Sequence, residues 1–157
     1  VADLVHETKK VFPVGRLDKD VEGLLILTNN GKLAHRLTAP KQKVYKKYYV
    51  ESIKPLDEND IILFNQGIEI KDGNNETYIT KPAILEIIDE HFSFLSIYEG
   101  KFHQVKRMFR GINNEVVYLK RVAMGDIELD MNLQLGEYRY LTDQEILKLK
   151  EMGNLQM

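Results

Sequence analysis

Short apolar runs alternate along the chain with charged or glycine-rich breaks, and the breaks fix most of the elements. Leu24-Leu25-Ile26-Leu27 lies between Gly23 and the turn Asn29-Asn30-Gly31, and predicts a buried strand. Residues 32–37 predict a short helix that closes before Pro40. Residues 46–52, rich in Tyr and Val, predict a strand. A helix follows over 56–66, with Asp57 as its cap and Gly67 as its stop. Strands over 68–71 and 78–89 flank the polar turn Asp72-Gly73-Asn74-Asn75, and residues 91–98 alternate as another strand.

The clearest helix covers 102–112. Val105, Met108, Phe109 and Ile112 fall at i, i+3, i+4 and i+7 and form one apolar stripe. His103, Lys106, Arg107 and Arg110 share the opposite face. Residues 115–129 read as strand-rich, and a last helix starts at Thr142, where Glu145 completes a capping box. Strands and helices mix without a regular βαβ repeat. The expected fold is therefore α+β, a mixed and mainly antiparallel sheet with packed helices, in one domain over 1–157.

Composition adds exclusions. At 157 residues and 43% hydrophobic, the chain has material for one real core. It shows no apolar run long enough to span a bilayer and no signal-peptide pattern, so a soluble, cytoplasmic protein is expected. Without cysteine, thiol catalysis, disulfides and Cys-based zinc sites are excluded. The four histidines lack metal-ligand spacing, and no phosphate-binding glycine loop or G-x-S-x-G elbow is present. Chemistry is left to carboxylates, tyrosines and basic residues, with neither metal nor cofactor.

Net charge is only −2, but it is unevenly spread. Residues 101–121 hold six basic side chains against the single acid Glu115, and residues 41–47 hold four lysines and no acid. A charge run is most often a solvated face; the alternative is a basic groove on an acidic domain. Spacing alone leaves Asp18 and Asp20 as turn or surface acids and Tyr48 as a core tyrosine.

Three segments change that picture. Phe12-Pro13-Val14-Gly15-Arg16-Leu17-Asp18-Lys19-Asp20, followed by Gly23-Leu24-Leu25-Ile26-Leu27-Thr28-Asn29-Asn30-Gly31, resembles the signature of the RsuA/RluB/RluE/RluF group of bacterial pseudouridine synthases. Lys46-Lys47-Tyr48-Tyr49-Val50 is similar to the group's K-x-Y-x-V strand, and Glu99-Gly100-Lys101-Phe102-His103-Gln104-Val105-Lys106-Arg107-Met108-Phe109 to its third motif. His-Gln-Val-Lys and the ending Gly136-Glu137-Tyr138-Arg139-Tyr140-Leu141-Thr142 are nearest the members that act on small-subunit (16S) rRNA.

The resemblance implies isomerisation of a uridine in ribosomal RNA to its C-glycoside, without cofactor or metal. It implies Asp18 as the catalytic carboxylate, Tyr48 as the conserved tyrosine and Lys106 as the basic partner of the aspartate. A nearby cation favours the ionised carboxylate that the chemistry needs. Tyr48 would stack on the extruded uracil, its hydroxyl near C5, while Tyr49 points to the other sheet face. Arg16 would fill the vacated base stack or hold phosphate. His103 and Gln104 open the third-motif helix and would contact substrate or cap it. Arg107, Arg110 and the lysines of 41–47 would bind phosphates.

Two departures qualify the match. Val21 stands where the group usually has Thr. An N-terminal S4-like RNA-binding domain and an opening strand, usual in the group, are absent from this sequence, which begins with Val; an N-terminally incomplete catalytic domain is expected. The expected partner is ribosomal RNA, most simply 16S RNA in a pre-ribosomal particle, bound by a monomer. The alternatives are a 23S target, a non-catalytic RNA-binding fragment, or a protein-interaction fragment using an exposed sheet edge.

Overall fold

The computed structural model describes residues 11–19, 21–39, 42–71, 74–101 and 103–152; the expectations placed on Asp20, Pro40, Lys41, Asp72, Gly73 and Phe102 lie outside the described residues. In chain order the elements are β1 (Phe12–Pro13), β2 (Glu22–Gly23), β3 (Leu27–Thr28), α1 (Gly31–Thr38), β4 (Lys46–Ser52), α2 (Glu58–Gln66) and β5 (Glu69–Lys71). There follow β6 (Thr77–Ile79), β7 (Ile84–Asp89), β8 (Phe92–Ile97), α3 (Gln104–Gly111), β9 (Val116–Met124), β10 (Ile127–Glu128) and α4 (Asp143–Met152). The main sheet runs β10-β9-β4-β8-β7 with antiparallel neighbours, and β2 joins β9 in parallel. This is the expected α+β arrangement, a mixed and mainly antiparallel sheet with helices packed on it.

Local chemistry sets the helix ends. Asp57 accepts from Asn59 N and Asp60 N while Asp60 reaches back to Asp57 N, so α2 starts with a full capping box. Thr142 and Glu145 make the same reciprocal pair before α4. Asn30 caps α1 by accepting from Leu33 N.

Two expected strands are each divided. The run 24–27 does not form one strand: Gly23, at φ +124°, turns the chain after β2, and β3 pairs with β1 instead. Within 78–89 the chain changes sheets. β6 closes a hairpin with β5, Thr80 accepts from Ile68 N, and β7 starts only after Pro82, which has no N–H to give a ladder. The 115–129 stretch forms β9 and β10, folded back on each other at Gly125, φ +58°.

Two hydrophobic clusters result. The first lies between the inner sheet face and helices α2 and α3, and includes Val50, Phe64, Leu95, Met108 and Phe109. Phe64 and Phe109 meet edge to face at 5.3 Å, and the α3 stripe expected from spacing is the surface that packs here. The second gathers Val14, Ile26, Leu33, Leu37, Met124, Ile127 and Leu149 around α1, β10 and α4. Val14 belongs to the second cluster and Val21 packs on the first, so the segment carrying Asp18 crosses from one to the other.

The inner face of β4 also buries a cation, Lys46. Desolvation lowers its ammonium to about 8, nearby Arg121 pushes the same way, and Glu99 opposes both.

Phe64→Ala should cost about 3–5 kcal/mol, because the ring contact with Phe109 and the filled volume are lost; urea unfolding by circular dichroism measures it. Burial of Lys46 gives a pH signature. Its folded value lies below its unfolded one, so the unfolded chain binds the extra proton between about pH 8 and 10.5 and stability rises across that window. Paired urea titrations should show a rise of up to about 3 kcal/mol that is missing from Lys46→Met.

Candidate active site

Asp18 is held at both ends of its loop. Val14 N donates to Ile26 O at 2.7 Å on the entry side. On the exit side Val21 N donates to Asp18 O at 3.0 Å, and Leu24 N donates to Arg121 O at 2.7 Å. Between these, β2 lies along β9 with Gly23 opposite Arg121. The approach is so close that a Cβ on Gly23 would stand 2.2 Å from the Arg121 carbonyl oxygen. Only glycine fits there, so the loop exit is fixed against β9. The Val21 side chain packs into the first hydrophobic cluster, where it supplies packing to the loop.

Tyr48 comes from the central strand β4, and the β4 alternation points Lys46, Tyr48 and Val50 inward. Tyr49 faces the other way, against Phe92, Phe94 and Tyr118. Directly across from Tyr48 on β9 is Arg121. The Arg121 guanidinium and the Asp18 carboxylate are both close enough for their charges to act on the Tyr48 phenol. Burial pushes the Tyr48 phenol above its ordinary value, Asp18 adds to that, and Arg121 acts in the opposite direction. Tyr48 is therefore a neutral phenol at physiological pH.

His103 approaches from α3. Its Nε2 lies 3.9 Å from Asp18 Oδ1, with the two side chains 41% and 31% exposed. The residue sits at the N-cap of α3 in the left-handed region, φ 50° and ψ 38°. A non-glycine residue held there carries local strain, a feature that clusters at functional sites. Lys106 is one turn along, partly exposed, on the His103 side of the helix by its i, i+3 spacing.

The other expected site residues scatter. Arg16 is exposed two residues before Asp18. Gln104 is buried and turns inward, donating to Glu99 Oε1 at 3.1 Å and accepting from Lys101 N at 3.1 Å. Arg107 donates to the Lys71 carbonyl on β5. Arg110 pairs with Glu115 at 3.4 Å, beyond the last turn of α3. Of the lysine run, Lys46 is buried and Lys47 lies 4.4 Å above the Phe94 ring on the opposite sheet face. The structure thus brings Asp18, Tyr48 and His103 together and spreads Arg107 and Arg110 away from them.

Sequence reasoning gave no buried role to three polar residues around the site: Glu99, Arg121 and Lys46, the last expected among the phosphate-binding lysines of 41–47 but turned into the interior. The available signal was period two on the strands. Leu119, Arg121 and Ala123 alternate inward on β9, and an arginine in an inward register is a buried charge that needs a reason.

A cleft of about 960 Å³ lies beside the loop, lined by residues of 11–27 and 127–141. Arg16, Asp18 and Lys19 line it together with Asp130, Tyr138 and Arg139. Arg139 anchors the far wall through Asp130 at 3.0 Å and Glu145 at 2.8 Å. Among the described residues no group of three or more His, Asp or Glu is placed to hold a metal, and no helix is long and apolar enough to cross a membrane.

Comparison with known proteins bears on what this geometry serves. An RNA pseudouridine synthase of Bacillus subtilis, YtzG, is 49% identical over 144 residues, covering 89% of this chain and 59% of that protein. The ribosomal small subunit pseudouridine synthase A of Vibrio cholerae is 46% identical over 135 residues, covering 86% of this chain and 57% of the relative. The chain thus spans somewhat under three fifths of the length of these relatives. A crystal structure of a pseudouridylate synthase superposes with a TM-score of 0.84 at 46% identity, over 89% of this chain and 60% of that one. Residues 2–110 match the family described as RNA pseudouridylate synthase, and the chain belongs to that family.

Proposed function

We propose that the protein converts a uridine of ribosomal RNA into pseudouridine, and that the RNA is the small-subunit (16S) species. The carrying observation is the convergence of Asp18, Tyr48 and His103 from three separate elements on one point, in a chain with this family's motifs. Relatives named for the ribosomal small subunit support the choice of RNA.

The reaction is an isomerisation. The N1–C1′ bond breaks, the uracil turns, a C5–C1′ bond forms, the C5 proton leaves and N1 gains one. No electrons are exchanged with a partner, so no redox cofactor is required. Asp18 is the carboxylate that acts on the sugar or base. Tyr48, a neutral phenol, stacks on the uracil and presents its hydroxyl to the reacting edge. The target base must first leave its stack, at a cost of roughly a few kcal/mol. Arg16, exposed beside Asp18, occupies the vacated space or holds the adjacent phosphate. His103 and Lys106 supply positive charge at the mouth of the site. Arg107 and Arg110 lie further along α3 and bear on more distant phosphates, while Gln104 shapes the loop from inside. The protein works as a cytoplasmic monomer on a pre-ribosomal particle, without a metal.

Asp18→Ala in the full-length protein should lower pseudouridine formation on 16S precursor RNA by about 10⁴-fold or more, with RNA affinity near the parent's. Tyr48→Phe keeps the stacking ring and should retain part of the rate. Single-turnover assays on tritium-labelled RNA read both; full activity in Asp18→Ala would sink the assignment. Mapping modified sites in a deletion strain decides the RNA, and loss of a 23S rather than a 16S pseudouridine would replace the proposed target.

A further inference from the structure

Arg121 is 1% exposed, among the most deeply buried large side chains in the molecule. A buried charge is weak evidence for stability, because well-packed apolar residues in its place are often as good or better. Its bonds indicate another use. Nε donates to the Leu24 carbonyl at 2.8 Å, and the Arg121 carbonyl accepts from Leu24 N at 2.7 Å. Side chain and backbone together grip the residue that ends the Asp18 loop. Arg121 also stands directly across the β4–β9 ladder from Tyr48, close enough for its charge to act on the phenol. Nη2 is buried and has no hydrogen-bond partner. A fork bonded at the loop, facing the tyrosine and incomplete at Nη2, is placed for the site rather than for the core.

We infer that Arg121 is a positioning residue that holds the Asp18 loop and the Tyr48 ring in one fixed relation. This deepens the proposed isomerase reading and rests on it.

The geometry gives Arg121 a second consequence. Arginine has five donors and no acceptor, so wherever Arg121 engages the facing Tyr48 hydroxyl the phenol oxygen is the acceptor. The hydroxyl hydrogen is then left free to point away from Arg121, toward the Asp18 side where the base must lie. Arg121 thereby sets the direction in which Tyr48 donates. Lysine in its place would keep the charge but lose the planar fork that reaches two partners at once.

The test compares Arg121→Met and Arg121→Lys with the parent in the full-length protein. Single-turnover rates and RNA affinities are measured on small-subunit rRNA, and Tyr48 ionisation by NMR of ring-labelled tyrosine, assigned through Tyr48→Phe. Arg121→Met should stay folded and bind RNA like the parent, with the rate of isomerisation down by about 100-fold, the scale of a misplaced reacting group. Arg121→Lys should recover part of that rate. The Tyr48 phenol should titrate at higher pH in Arg121→Met, since a cation that favours its ionised form is gone. A folded Arg121→Met with the parent's rate overturns the inference. So does a rate loss matched by lost RNA binding, which marks Arg121 as a mere part of the scaffold. If the parent forms no pseudouridine, the isomerase reading fails by itself, and the NMR arm still decides: unchanged Tyr48 ionisation in Arg121→Met refutes the positioning role. Should Arg121→Met not fold, Arg121→Lys carries the same three measurements, and a parental rate with parental Tyr48 ionisation in that variant overturns the inference.

Discussion

The contact on which the rest of the site depends is the parallel pairing of Glu22 and Gly23 with Lys120 and Arg121. It brings an early loop against a late strand, across nearly a hundred residues of sequence separation. The pairing lasts only two residues, and a missing side chain makes it possible. The Arg121 carbonyl occupies the space where any Cβ at position 23 would go. Everything the site does follows from that close approach. Asp18 is carried over the inner face of β4, Tyr48 is already there through the strand alternation, and α3 brings His103 to the carboxylate.

Around this frame lies a small group of buried charges. Lys46 and Arg121 are cations on neighbouring strands, and Glu99 is the buried acid beside them, held by Lys81 N at 2.6 Å and by Gln104. Asp18 adds a second negative charge at the exposed end. Two positive and two negative groups in a low-dielectric setting interact strongly, and the position of each constrains the others. Gln104 belongs to this arrangement as a linker, because it joins Glu99 to the first turn of α3 and thereby ties the helix that carries His103 to the loop before it.

Much of this was legible in the chain. The α3 stripe and the inward side of β4 follow from periods of 3.6 and 2.0, and the Asp57 cap and the Thr142–Glu145 capping box from residue spacing, all of which depend on local geometry alone. Tyr48 and Tyr49 separate correctly for the same reason. What local geometry does not carry is which strand a segment joins. The run at 24–27 is apolar enough for one strand, but the competition of β1 and β9 for its two ends divides it, and nothing within four residues encodes that competition. Arg121 was hidden likewise: in sequence it belongs to a basic stretch, and only its register across from Tyr48 distinguishes it from the partly exposed Lys120 beside it. Asp18 could be singled out through family motifs, whereas its spacing alone was that of an ordinary turn acid.

The crossing of the Asp18 segment between two hydrophobic clusters has a mechanical consequence. Its entry is anchored at Val14, among side chains of α1, β10 and α4, and its exit at Val21, among those of the sheet and α3. The segment therefore acts as a tether between two bodies of different size, and the smaller one, with fewer buried side chains, is the weaker anchor. Local opening of that smaller body releases one end of the tether while the sheet stays intact. The placement of Asp18 is then tied to the stability of the lesser core, and opening of that core frees the loop entry while the main sheet still holds its exit.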